Sequence, residues 1–169
     1  MKHDEQRDDC PPNQAIAEPL YLEDLNVGQR FTSVSYRMTA ERIKSFAAEF
    51  DPQPFHLDDA AAQGTVFHGL AASGWHTAAA AMQMLVTGGL PLANGIVGLG
   101  GEIVWSKPAR PGDVLHVESE ILEIVPSQSK PNQAVVRVRS VTLNQAGDAV
   151  QTFTSKLLVF QRPAATHSA

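Results

Sequence analysis

Apolar residues change their spacing along this chain, and the changes mark out its elements. From Arg30 to Met38, Phe31, Val34 and Tyr36 are the apolar members of a pattern that predicts a strand. Thr39 then precedes Ala40–Glu41–Arg42, an N-cap residue followed by an acid in the first turn. Ile43, Phe46, Ala47 and Phe50 follow at helical spacing, and Pro52 and Pro54 end that helix in an irregular loop. Residues 57–63 predict a short helical turn closed by Gly64. Leu70 to Val86 is the longest apolar segment, apolar almost all round, which predicts a buried helix ended by Gly88–Gly89 and Pro91.

Everything downstream predicts strands. Gly95–Lys107 carries Ile96, Val97, Leu99, Ile103, Val104 and Trp105; Pro108 and Pro111–Gly112–Asp113 separate it from Val114–Val125. There Val117, Ser119 and Ile121 alternate with Glu118, Glu120 and Leu122. Ala134–Leu143 and Val150–Phe160 complete the set, joined by a turn at Asn144–Gly147. Short connections predict an antiparallel meander. Such a sheet must cover one face with something apolar, and Leu70–Val86 is the one candidate. The expected fold is therefore α+β, a hot-dog arrangement in which a curved antiparallel sheet wraps one long central helix.

At 169 residues and 43% hydrophobic content, one domain with a real core is expected, spanning 19–161. Residues 1–18 and 162–169 are polar or charged and predict flexible tails. A net charge of −5, with no run of Lys or Arg, argues against a nucleic-acid partner. No apolar stretch reaches the ~18 residues of a membrane span. The polar start MKHDEQRDDCPPNQ has no signal-peptide core, and the lone Cys10 cannot form an internal disulfide. A cytoplasmic location is the expectation.

Asp51 and His56 lie on a loop stiffened by two prolines, where a carboxylate and an imidazole can divide acid and base roles. A turn-capping Asp and an idle His fit the same spacing. His68–Gly69 falls at the predicted start of the long helix, where unpaired N–H groups and the dipole suit an oxyanion; Gly69 could equally ease a turn. Thr77, eight residues on, lies within roughly 80° of Gly69 around that helix, or else bonds back to its own backbone. His56, Asp58, Asp59, His68 and His76 invite a metal, but no HxxxH or HExxH spacing occurs and none is expected. No GxSxG elbow, GxGxxG loop or P-loop is present; Ala72–Ser73–Gly74 lacks a preceding strand.

Asp51–Pro52–Gln53–Pro54–Phe55–His56 resembles the Asp-x-Asn-Pro-x-His motif of MaoC-like dehydratases and (R)-specific enoyl-CoA hydratases. His68–Gly69–Leu70 is similar to that family's His-Gly before the central helix. Trp105–Ser106–Lys107–Pro108 with Pro111–Gly112–Asp113 is similar to its following strand and turn. The resemblance spans roughly residues 20–160. It implies water addition to a trans-2-enoyl-CoA giving an (R)-3-hydroxyacyl thioester, or the reverse. Asp51 and His56 would be the catalytic pair. Gly69 would hold the thioester oxygen, with His68 and Thr77 beside the substrate. It implies no metal or redox cofactor, CoA entering only as part of the substrate, and a homodimer or higher homo-oligomer. Two departures bear on substrate range: Gln53 stands for the usual Asn, and Phe50 where a small or polar residue is common. With Phe55 they are expected to line the site. Lys107, Arg110, Arg137 and Arg139 are candidates for CoA phosphates, though surface solvation explains each as well. A thioesterase or a non-catalytic acyl-thioester-binding module on the same fold are the alternatives.

Overall fold

The computed structural model describes residues 18–164. The expectations for the N-terminal tail and for Cys10 therefore fall outside the described residues. A single turn of 3-10 helix at Leu22–Asp24 leads into two short strands, β1 (Arg30–Thr32) and β2 (Tyr36–Arg37). The predicted single strand over 30–38 is thus two pieces, both paired with the same later strand. Helix α1 (Ala40–Phe50) begins as predicted, with the Thr39 hydroxyl accepting the Arg42 N–H at 3.2 Å. The stretch after Pro52 is more ordered than a loop: Pro54 starts a short helix, α2 (Pro54–Leu57), where its missing N–H costs nothing. Asp58 then caps α3 (Asp59–Gln63), and Gly64 ends it.

The central helix α4 spans Gly74–Met84 and runs into a π turn at Leu85–Gly89. It starts four residues later than its apolar pattern predicted. Strands β3 (Val97–Trp105), β4 (Val114–Pro126), β5 (Gln133–Leu143) and β6 (Ala149–Phe160) follow. All pairings within the sheet are antiparallel, in the order β1-β4-β5-β6-β3, with β2 also on β4. Strands β4, β5 and β6 form the predicted meander. β3 does not join β4, its neighbour in sequence; it crosses to pair with β6 and leaves its other edge open.

Strand alternation gives the core. Leu115, Val117 and Ile121 of β4 point inward, with Val136 and Val138 of β5 and Leu157 and Val159 of β6. They meet Ala80, Ala81, Met84 and Leu85. The alanines on the sheet-facing side of α4 let backbone approach backbone, which suits a close-packed layer. The helix is not buried all round, as its composition suggested. Trp75, Met82 and Val86 are exposed. Arg162, at the boundary where the flexible tail was expected to start, is held in place: its guanidinium pairs with Asp24 at 3.0 Å and lies over the Tyr21 ring.

Candidate active site

Asp51 is the C-cap of α1, its N–H donating to the Ala47 carbonyl. His56 sits in α2 and is 4% exposed. The chain between them, folded by two prolines, brings His56 Nε2 to 3.5 Å from Asp51 Oδ2. His56 Nδ1 lies 2.7 Å from the Ala71 carbonyl oxygen. A carbonyl can only accept, so Nδ1 carries the proton. Nε2 is then the position that gains or loses a proton beside the carboxylate.

Asp51 is held from both sides. Ser73 Oγ donates to Oδ2 at 2.6 Å, and Gln53 Nε2 donates to Oδ1 at 2.6 Å. Burial pushes the Asp51 carboxyl up, but the Ser73 and Gln53 bonds and the facing His56 together hold it below its ordinary value. It is therefore a carboxylate near neutral pH. Ser73 also serves as the N-cap of α4, accepting the Trp75 N–H at 3.2 Å. With no nucleophile elbow around it, Ser73 does not stand out in the sequence as a site residue. The signal it does carry is the ordinary one for a helix start, Ser directly before a helical run.

His56 opens onto a cavity of about 280 Å³, bordered also by Phe67, Gly74, Thr77, Trp105 and Lys107. Gly74 is the first residue of α4, so its N–H has no intrahelical partner. The Trp105 indole lies against Gly74, so near that a Cβ there would sit 2.7 Å from the ring. Trp105 Nε1 donates to buried Gln151 Oε1 at 3.0 Å, which fixes the ring. In the sequence, Trp105 is marked only by the family resemblance, and nothing marks Gly74 or Gln151 for this site.

Of the predicted site residues, Asp51, His56, Gln53 and Thr77 come together. Thr77 lines the cavity and also bonds back to the Ser73 carbonyl at 3.3 Å. Phe55 packs edge-on to His56, centroids 4.5 Å apart. Phe50 is 64% exposed and packs on Phe46. His68 and Gly69 are placed differently from the expectation. The helix does not start there, the Gly69 N–H donates to the Ala62 carbonyl, and both residues face a separate hollow of about 750 Å³. The unpaired N–H of a helix start beside His56 belongs to Gly74.

Among the proposed phosphate-binding cations, Lys107 pairs with Asp148 at 2.7 Å, Arg139 with Glu120 at 2.7 Å and Arg137 with Glu123 at 3.5 Å. Arg110 is turned inward onto backbone carbonyls. His76 is buried against Phe46, ring centroids 4.7 Å apart, with Nε2 3.3 Å from the Tyr36 hydroxyl. Among the described residues no three His, Cys, Asp or Glu side chains are grouped to hold a metal ion. No described helix is long and apolar enough to cross a membrane.

A curved antiparallel sheet packed on one helix defines a hot-dog protein, here with an Asp–His pair beside that helix's first turn. The family model of the MaoC like domain matches residues 25–145, and the chain belongs to that family. It is 59% identical to a MaoC-like dehydratase of Rhodospirillum rubrum, with a TM-score of 0.85 over 86% of this chain and 99% of the other. The (R)-hydratase PhaJ1 of Pseudomonas aeruginosa is 28% identical, with a TM-score of 0.68 over 85% of this chain and 88% of that one. YdeM, an uncharacterized protein of Bacillus subtilis, is 31% identical over 75% of this chain and 89% of its own length.

Proposed function

We propose that this protein adds water to a trans-2-enoyl-CoA thioester to give an (R)-3-hydroxyacyl-CoA, or runs the reverse dehydration. The observation that carries this is the Asp51–His56 pair, with Oδ2 and Nε2 3.5 Å apart, next to the first turn of α4. In hydration, water loses one proton to the pair as its oxygen bonds to the β-carbon. The pair returns one proton to the α-carbon, so it is restored at the end of the cycle. Asp51, kept ionised by its donors, is the natural proton acceptor. His56, protonated on Nδ1 and able to carry a second proton on Nε2, is the donor.

As the α-carbon waits for its proton, negative charge gathers on the thioester oxygen. The Gly74 N–H, at the positive end of an 11-residue helix, is suited to receive it. This role passes to Gly74 from Gly69. No metal or redox group enters, because the thioester itself acidifies the α-carbon. The name of PhaJ1 as an (R)-hydratase at 28% identity supports the same chemistry and stereochemistry.

The test is hydration of crotonyl-CoA and longer enoyl-CoAs, followed by loss of the conjugated thioester absorbance. Asp51→Asn should lower the rate by roughly 10²-fold or more. Wild-type turnover in that variant would refute the assignment of Asp51, and release of free thiol instead of hydration would point to a thioesterase. We also infer a homodimer. β3 is an open sheet edge carrying exposed Val97, Leu99 and Val104, and it adjoins Trp75 of α4 through the Trp75–Trp105 contact.

A further inference from the structure

Residues 64–73 connect α3 to α4 without regular structure beyond turns, and they carry two of the groups that fix the catalytic pair. The Ala71 carbonyl accepts from His56 Nδ1, and the Ser73 hydroxyl donates to Asp51. Such a segment has little stability of its own. His68 has φ 49° and Gly69 φ 138°, so two consecutive residues occupy the left-handed half of backbone space, and His68 does so with a side chain. Something outside the segment must hold it.

Arg110 does most of this. Its Nη1 donates to the Gly69 carbonyl at 2.8 Å and to the Leu70 carbonyl at 3.1 Å, and its Nη2 donates to the Phe67 carbonyl. One planar guanidinium thus gathers three carbonyls from four successive residues. From the other side, Asp59 Oδ1 accepts the Leu70 N–H at 2.8 Å. Arg110 is itself anchored, its own N–H donating to Asp113 Oδ2 at 2.7 Å. The preceding residue continues the hold, since the Ala109 carbonyl accepts the Ala72 N–H at 2.9 Å. Ala109 borders the His56 cavity, whereas Arg110 and Asp59 face the other hollow.

We propose that Arg110, with Asp59, is a positioning clamp for the Asp51–His56 pair: it fixes the 67–73 segment so that the Ala71 carbonyl holds His56 in its Nδ1–H tautomer. The proposal rests on the hydratase reading for its kinetic consequence but not for its structural one. A shift of the segment by about 1 Å would carry the Ala71 oxygen from 2.7 Å beyond hydrogen-bond range, and misplacement on that scale can cost about 10²-fold in rate. Lysine cannot substitute, because a single ammonium does not reproduce a planar fork reaching three carbonyls.

The experiment compares wild type with Arg110→Lys and Arg110→Met by ¹⁵N NMR of the His56 ring and by steady-state kinetics. In the wild type, His56 should be a single Nδ1–H tautomer when neutral. In either folded variant it should become a tautomer mixture. With enoyl-CoA, kcat should fall by about 10- to 100-fold while KM changes less, and the pH profile of kcat/KM should shift. Folded variants that keep one His56 tautomer and wild-type kcat overturn the clamp. If Arg110→Met fails to fold, Arg110→Lys decides alone. If the wild type hydrates no enoyl thioester, the functional reading fails, while the His56 ring signals still test the clamp.

Discussion

Ser73→Ala removes a single oxygen that serves two structures at once. Its hydroxyl donates to Asp51 Oδ2 at 2.6 Å and accepts the Trp75 N–H at the start of α4. A hydrogen bond to a charged group contributes about 1.5–3 kcal/mol, and an N-cap about 0.5–2 kcal/mol. The Asp51 side chain is 18% accessible, so water replaces part of the first bond. A combined loss of about 2–3 kcal/mol is expected, which lowers the Tm by roughly 5–10 °C for a domain of this length. The Asp51→Asn background separates the two parts. There the charged partner is gone, and Ser73→Ala should cost only its cap contribution, so the cycle should show coupling of about 1–2 kcal/mol. The catalytic consequence has a definite sign. Ser73 is one of the groups holding the Asp51 carboxyl down, so its removal raises that pKa and moves the acid limb of kcat/KM to higher pH. Additive losses in the cycle, or an acid limb that does not move, would refute the dual role.

Three further outcomes follow from the geometry. Burial, with a smaller push from Arg42, lowers the His76 pKa from 6.5 to about 4. The unfolded chain therefore binds a proton that the native state does not between those values. Stability should fall as pH drops from about 6.5 to 4, and His76→Phe should flatten the urea midpoint across that window. Below it, the depressed carboxyls of Asp51, Asp59 and Asp148 add their own loss. Gly74→Ala would stabilise an unconstrained helix by about 1 kcal/mol, but here the methyl meets the Trp105 ring at 2.7 Å. The variant should be less stable, with shifted tryptophan emission and reduced hydration; a more stable variant with unchanged emission would show that the ring is not held there. If the inferred dimer forms through the open β3 edge, Leu99→Lys should convert it to monomer in sedimentation; a wild type that sediments as a monomer would remove the basis for that interface.

The strands were legible because their information is local. Val117, Ser119 and Ile121 are buried as their alternation implied, and Thr39 caps α1 as its position implied. The place of β3 was not legible. Its pairing with β6 joins residues about fifty apart, and nothing within Val97–Trp105 encodes which edge it will choose. Nor does exposure follow from composition on α4, where Trp75 and Met82 read as core but face outward.

The start of α4 is the instructive difference, because it decides which backbone N–H faces the His56 cavity. Leu70, Ala71 and Ala72 are buried, at 4%, 0% and 5% exposure, and apolar residues running into a helical pattern read as helix. Burial and helicity are separate properties. These three residues cross the interior without helical bonds, their N–H groups donating to Asp59, Phe55 and Ala109 in turn. Such partners are distant in sequence and leave no periodicity behind. The polar Ser73 then breaks the apolar run with a side chain that can cap, and the helix begins at the next residue. Four residues of non-helical chain carry the unpaired helix N–H from Gly69, whose own N–H meets Ala62, to Gly74 on the cavity of His56. The same four residues bring the Ala71 carbonyl to His56 and the Ser73 hydroxyl to Asp51. Had the helix begun at Leu70, its own bonding would have claimed the Ala71 carbonyl, and His56 would have lost the acceptor that fixes its tautomer.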